Sequence, residues 1–176
     1  MNSSLVMTII GEDRPGLVDS VAALIVEHGG NWLESRMSRL GGQFAGILRV
    51  AVPEEREDSL VSALRNLRTV TIVVQTDQAK VEGATQTLWV LEIVGQDRPG
   101  IIREISRVLA QRHVNVESLE TECASAAMSG EPVFKARALV QIPASCNLEE
   151  LRRELEKIGH DLIVDVALGA VAAQTS

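Results

Sequence analysis

The chain is poor in aromatic side chains. Its 176 residues include two Trp, two Phe and no Tyr, although 45% of the residues are hydrophobic. A core of this composition has to be aliphatic, and the stacked aromatic surfaces on which many proteins bind single-stranded nucleic acid are excluded. The hydrophobic and charged fractions are typical of a folded globular chain rather than a disordered one.

The chain also lacks an excess of positive charge. It carries 17 Lys and Arg against 24 Asp and Glu, a formal net charge of −7. Residues 1–84 hold 8 basic and 11 acidic residues, and residues 85–176 hold 9 and 13. Contact with DNA phosphates requires clustered Lys and Arg. We therefore expect no direct nucleic-acid binding, and a role in gene control would have to run through a protein partner.

Cysteines and long apolar segments are scarce as well. The two cysteines, Cys123 and Cys146, are expected to be reduced, and burial without reactivity is their expected state. The N-terminus shows no signal-peptide pattern, and no apolar segment is long enough to span a membrane. The histidines share no metal-site spacing with cysteine or carboxylate. These features predict a soluble cytoplasmic protein without membrane contact, with no cofactor and no metal.

One short segment occurs twice. G-E-D-R-P-G at residues 11–16 returns as G-Q-D-R-P-G at residues 95–100, a shift of 84 residues. Each copy follows a short apolar run and precedes apolar residues at helical spacing, which indicates a strand, a tight turn and a helix. A repeat of this length predicts two domains. We expect a first domain at 1–78, a linker at 79–86, a second domain at 87–170 and a tail at 171–176.

Both halves show the element order βαββαβ. The predicted strands cover 5–10, 31–40, 43–52 and 70–74 in the first half, and 88–94, 115–123, 133–142 and 162–166 in the second. Right-handed crossovers then place two helices on one face of a four-stranded antiparallel sheet. The fold class is α+β, with two tandem ferredoxin-like units. The other sheet face is left bare, so we expect it to pack on the partner unit, on another copy of the chain or on both.

The repeated turn has the chemistry of an anion site. Pro15 and Pro99 suit a helix start, and Gly16 and Gly100 let a ligand approach the backbone. The free amides of the first helical turn favour a carboxylate. Asp13 could then accept hydrogen bonds from an α-ammonium group, as could Asp97 in the second copy.

An asparagine lies at the same offset in each half. Asn31 and Asn115 begin the second predicted strand of each unit. In a βαβ crossover that strand lies next to the first, so the asparagine can face the turn and its amide could bond both carboxylate and ammonium. The matching ligand is a free amino acid. The alternative is that Asp-Arg-Pro-Gly is an ordinary turn that duplication has copied.

The free energy that an amino-acid site needs requires a second protein surface beside the turn. A helix N-terminus stabilises an exposed anion by about 0.3–1 kcal/mol, and by up to about 2 when the anion is partly buried. A millimolar site needs about 4 kcal/mol. One open turn is too weak, so the site must be closed from another side. The copies also differ, with Gln96 in place of Glu12 and Val116 in place of Trp32, so the two sites need not bind alike.

This pattern resembles the ACT domain, a small-molecule regulatory module, in both halves of the chain. A tandem pair resembles the glycine cleavage system transcriptional repressor family. The resemblance implies an amino-acid-responsive regulatory protein, not an enzyme, that binds glycine or a similar small amino acid at domain interfaces, controls a DNA-binding transcription regulator and forms a homodimer. The implied ligand-binding residues are Asp13, Arg14, Pro15, Gly16, Leu17 and Asn31 in the first half, and Asp97, Arg98, Pro99, Gly100, Ile101 and Asn115 in the second.

Two other readings stay open. The first is a structural dimerisation or scaffold module in which the turns bind nothing. The second is a regulatory fragment related to the formyltetrahydrofolate deformylases, whose N-terminal ACT domain resembles this pattern but precedes a catalytic domain. Binding of free amino acids distinguishes the sensor from the scaffold.

Overall fold

The computed structural model describes residues 1–77, 87–125 and 130–171. The chain divides into two compact units, Met1–Val81 and Glu82–Ser176. The predicted linker at 79–86 and residues 172–176 of the predicted tail lie outside the described residues, so the proposed domain boundaries stay a prediction. In the described residues, no helix has both the length and the apolar character that crossing a membrane requires.

The first unit is a four-stranded sheet with two helices. Its elements are β1 (Asn2–Glu12), α1 (Leu17–Glu27), β2 (Asn31–Leu40), β3 (Gln43–Pro53), α2 (Glu54–Arg65) and β4 (Val70–Thr76). The strand order is β2-β3-β1-β4, and all neighbours are antiparallel. β2 has the bounds that the sequence predicts, because Gly41 and Gly42 take the positive φ values of 58° and 79° that a tight hairpin requires.

Alternation along β1 explains where the core of this unit lies. Leu5, Met7 and Ile9 are buried on one face of the sheet, and the residues between them are more exposed. α1 and α2 cover that face with apolar residues one helical turn apart, such as Leu60 and Leu64. Burial of one such side chain contributes about 1.5–3 kcal/mol.

The second unit repeats this arrangement. Its elements are β5 (Thr87–Gln96), α3 (Ile101–Gln111), β6 (Asn115–Ser125), β7 (Pro132–Ile142), α4 (Leu148–Leu162) and β8 (Val164–Ala170). The strand order is β6-β7-β5-β8. The last strand starts at Val164, not at the predicted Leu162, because α4 runs on to Leu162 and ends at Ile163 in the left-handed conformation.

The predicted fold class is therefore confirmed in both units. In each unit the helices cover one sheet face, and among the described residues of that unit no helix lies on the opposite face. That face in the first unit carries Ile47 and Val73, both more than half exposed, on either side of Thr8 in one cross-strand row. The matching face of the second unit is charged, with Arg137 between Glu92 and Glu120.

Candidate functional site

The two repeated turns have similar backbones, although the first has in addition a 3.4 Å hydrogen bond from the Leu17 N–H to the carbonyl oxygen of Arg14. Residues 13–16 connect β1 to α1, and residues 97–100 connect β5 to α3. Gly16 and Gly100 are the N-caps of these helices, with φ of 87° and 97°. This left-handed region favours glycine because other residues are strained there. A Cβ placed on either glycine would have no atom within 4 Å, so the approach to each turn is open.

No side chain caps either helix that follows a turn. α4 differs, because the side chain of Asn147 accepts hydrogen bonds from the N–H groups of Glu149 and Glu150 at 3.1 and 3.2 Å. α2 carries three acidic residues in its first turn, whereas α1 and α3 carry one each. The first amides of α1 and α3 have no intrahelical acceptor, and the helix dipole attracts an anion there. These two helix starts have the properties expected of a carboxylate site.

Each turn is tied to the hairpin of its own unit. The Asp13 N–H donates to the carbonyl oxygen of Gly42 at 2.9 Å, and the Asp97 N–H donates to that of Pro132 at 3.0 Å. The backbone of each aspartate is therefore held at the start of the strand that leaves the hairpin, β3 in the first unit and β7 in the second.

In the first turn the aspartate has a cationic partner. Arg39, near the end of β2, places its Nη1 3.2 Å from Asp13 Oδ2. The side chains are 70% and 34% exposed, so the ion pair is accessible to solvent. Such pairs contribute about 0–1 kcal/mol to stability.

In the second turn the corresponding partner is a cysteine. Arg39 pairs across the hairpin with Phe44, and Cys123 pairs with Phe134 in the same register. This register puts Cys123 at the position from which Arg39 reaches Asp13 in the first unit. Partial desolvation and, after it, the negative charge of Asp97 and hydrogen bonding to its carboxylate raise the pKa of Cys123. Cys123 is exposed, so the expectation of burial was wrong for it.

The arginine of the second turn has a partner of its own. Arg98 donates from Nη2 to Oε1 of Gln96 at 3.0 Å. Gln96 stands where the first repeat has Glu12, so this contact joins the two residues that flank Asp97. The hydrogen bond places the Arg98 guanidinium at the end of β5, beside the turn.

The expectation that the asparagines face the turns was wrong. β3 lies between β1 and β2, so β2 is not the neighbour of β1. Asn31 and Ser4 both pair with Ala51, whereas Leu40 and Glu12 both pair with Gln43. The asparagine therefore lies at one end of the sheet and the turn at the other, about 30 Å apart at about 3.3 Å per residue.

The second unit shows the same separation. Asn115 pairs with Gln141 at the end where β5 begins, and its amide donates to Oε1 of Glu117 at 2.6 Å. Within one unit, the structure brings together the aspartate, proline and glycine of the turn and the first helical residue. It does not bring the asparagine to them. No single unit can present both groups to one small ligand.

Sequence reasoning missed Arg39 and Cys123 as site residues. A signal was present, because Cys123 follows Arg39 by the same 84 residues that separate the two turns. Only the cross-strand register shows that both side chains reach the aspartate.

Comparison with known proteins agrees with this architecture. Two family models, each described as an ACT domain, match residues 3–75 and 89–134. A UPF0237 protein of Methanopyrus kandleri is 36% identical over 78 residues, which are 44% of this chain and 80% of that protein. A UPF0237 protein of Methanocaldococcus jannaschii is 35% identical over 78 residues, which again are 44% of this chain and 80% of that protein.

Solved structures resemble the whole chain. A crystal structure of an unknown protein from Galdieria sulphuraria superimposes with a TM-score of 0.88 and 28% identity, covering 98% of this chain and 100% of that one. A proposed glycine cleavage system transcriptional repressor superimposes with a TM-score of 0.70 and 22% identity, covering 97% and 98%.

The fold defines a pair of ferredoxin-like βαββαβ units, each with an open turn at the start of its first helix. The chain belongs to the ACT-domain family, with one ACT domain matched in each half. Neither family model describes a catalytic domain.

Proposed function

We propose that this chain is an amino-acid-responsive regulatory protein and not an enzyme. It binds a small amino acid, glycine or a similar one, and controls a cytoplasmic partner protein, a DNA-binding transcription regulator, without binding DNA itself. The observation that carries the proposal is the pair of uncapped helix starts, each beside an aspartate and an open glycine. The proposed repressor of the same fold supports the regulatory role.

The distance between the turn and the asparagine determines which residues can form the proposed site together. Since the two groups lie about 30 Å apart in one unit, a ligand that contacts both needs an asparagine from a second ACT unit. We place that unit in another copy of the chain, in a homodimer. Closure by the second copy supplies the interactions that one exposed turn lacks, given the roughly 4 kcal/mol that millimolar affinity requires.

A thermal-shift screen of the twenty amino acids tests ligand binding. An amino acid at about 100 times its dissociation constant stabilises the protein by about 2.7 kcal/mol, which raises the melting temperature. The matched variant lacks both aspartates, Asp13→Ala with Asp97→Ala, and should show no shift. Absence of a shift with every amino acid at tens of millimolar would reject the sensor and leave the scaffold reading.

A mixing experiment tests the second copy. One protein carries Asp13→Ala with Asp97→Ala, and the other carries Asn31→Ala with Asn115→Ala. Neither binds alone, but random exchange of copies gives mixed dimers in which half of the sites are intact. Binding should return to about a quarter of the wild-type capacity. If the mixture shows no ligand binding, assembly of the site from two copies is contradicted.

A further inference from the structure

We propose that the residue at position 39 of the first unit, and its counterpart at position 123 of the second, decides which turn accepts the amino acid. Cys123 leaves Asp97 available to the ammonium group, whereas Arg39 occupies Asp13. The second turn is then the effector-binding turn, and the first is filled by a side chain of its own unit. This inference rests on the proposed function.

The first step concerns the aspartate oxygen that Arg39 contacts. An ammonium group needs a carboxylate oxygen as acceptor, and Asp13 Oδ2 already lies 3.2 Å from the Arg39 guanidinium. A second cation at the same carboxylate must displace the arginine or tolerate its repulsion. Arg39 thus stands where the ligand's ammonium would otherwise bind.

The second step concerns charge at the other turn. The thiol of Cys123 stays protonated at neutral pH, because the pKa of Cys123 lies above its ordinary value. It is therefore a neutral, weak donor to Asp97. Across residues 1–77, 87–125 and 130–171, no Lys, Arg or His forms an ion pair with Asp97. No cationic side chain of the described residues therefore competes with a ligand for the carboxylate of Asp97.

The third step is that the backbones of the two turns share most of their features, apart from a 3.4 Å hydrogen bond from the Leu17 N–H to the carbonyl oxygen of Arg14 in the first turn. Both glycines take the left-handed conformation, both helices lack a side-chain cap, and both aspartates donate their N–H to the hairpin. The side chain from β2 or β6 changes the charge beside the aspartate, as does the residue before the aspartate, Glu12 in the first unit and Gln96 in the second. Exposed ion pairs of this kind change a binding constant by up to about fivefold. Loss of a charge-assisted hydrogen bond to ammonium costs about tenfold or more.

Isothermal titration calorimetry of the full chain with glycine, L-alanine and L-serine tests the inference. Asp97→Asn should weaken binding about tenfold or more, and Asp13→Asn should change it less than about twofold. Cys123→Arg, which transplants the first unit's residue, should weaken binding by up to about fivefold. The matched control Cys123→Ser keeps a neutral donor and should bind as the wild type does.

The reciprocal variant, Arg39→Cys, should strengthen binding at the first turn or add a second binding event. The inference is overturned if Asp13→Asn costs as much as Asp97→Asn, or if Cys123→Arg binds like Cys123→Ser. In either case amino-acid binding itself would persist. If neither the wild type nor Arg39→Cys shows a heat of binding with any of the three amino acids, the proposed function is rejected together with the inference. Circular dichroism of each variant verifies folding, and the two Asp→Asn variants decide the case if Cys123→Arg does not fold.

Discussion

The two turns share a backbone and differ in charge. Gly16 and Gly100 start their helices in the same conformation, but the aspartate of the first turn faces Arg39 and that of the second faces Cys123. The backbone of the turn depends on proline and glycine, which both copies keep. Its charge depends on residues that differ, Arg39 or Cys123 in the neighbouring hairpin and Glu12 or Gln96 directly before the aspartate. Duplicated segments can therefore keep one geometry while their electrostatics diverge.

The helix pairs of the two units differ as well. Arg112, at the end of α3, contacts Glu154 at 2.7 and 3.2 Å and Glu150 at 2.7 Å, so charge joins α3 to α4. The corresponding residue of the first unit is His28, whose Nδ1 lies 2.8 Å from the carbonyl oxygen of Leu24 in its own helix. In the described part of the first unit, no ion pair joins α1 to α2. Those helices depend on apolar packing.

The largest expected loss of stability comes from substitutions in the two hydrophobic cores, and this loss should be alike in the two units. Leu64 of α2 and Leu155 of α4 are both fully buried. Leu64→Ala and Leu155→Ala should each lower the free energy of unfolding by about 2–5 kcal/mol, because each leaves a cavity.

Urea unfolding measures the stability losses of both leucine variants. Each unit has one tryptophan, Trp32 or Trp89, whose fluorescence reports on the unfolding of that unit. Trp89→Phe and Trp32→Phe backgrounds isolate the two signals. A loss below about 1 kcal/mol in one unit would contradict equal packing of the cores.

Substitution of the turn glycines should give the next largest loss of stability. Gly16→Ala and Gly100→Ala each place a Cβ in the left-handed region, which costs about 1–2 kcal/mol. No neighbouring atom adds a clash, so the two values should agree. Unequal losses in the same urea assay would show that the two turn backbones are not equivalent.

The ion pair between α3 and α4 should make the stability of the second unit depend on pH. The hydrogen bond from Arg112 lowers the pKa of Glu154 below its ordinary value of 4.5. A carboxyl group with a depressed folded-state pKa stabilises the protein above its unfolded pKa and loses that contribution as the pH falls through the folded pKa.

Glu154→Gln should therefore lower the urea midpoint of the second unit at pH 7, by less than the glycine substitutions do, and the difference should vanish in acid. The surface variant Glu156→Gln is the control. A difference that is the same at pH 3 and pH 7 would count against the ion pair.

The ion pair of the first turn should give the smallest effect on stability. Arg39→Gln should change the free energy of unfolding by less than about 1 kcal/mol, because the pair is exposed to water. Added salt should reduce even this difference. A larger, salt-independent loss would mean that Arg39 holds the turn together rather than only occupying Asp13.

Much of the fold was predictable because local patterns determine it. β2 has its predicted bounds, and α1 and α3 start at Leu17 and Ile101, directly after the glycines that cap them. The end of α4 was not predictable to the residue, since Ile163 adopts the left-handed conformation although it is β-branched. The candidate turns were predictable from their repetition.

The asparagines were misplaced for a different reason. β3 lies between β1 and β2 and is antiparallel to both, so β1 and β2 run in the same direction. Asn31 starts β2 and Asp13 follows the end of β1, so the two residues lie at opposite ends of the sheet. Strand order depends on pairing between distant segments, which the periodicity of a segment does not encode.

The sequence by itself determined two βαββαβ units, aliphatic cores, an acidic surface and two glycine turns at helix starts, because these follow from spacing and composition along the chain. Tertiary structure alone decided what faces each turn. It placed Arg39 against Asp13, placed Cys123 against Asp97 and moved both asparagines away. The physical reason is register, since the pairing of β2 with β3 and of β6 with β7 determines which side chain lies beside the repeated aspartate.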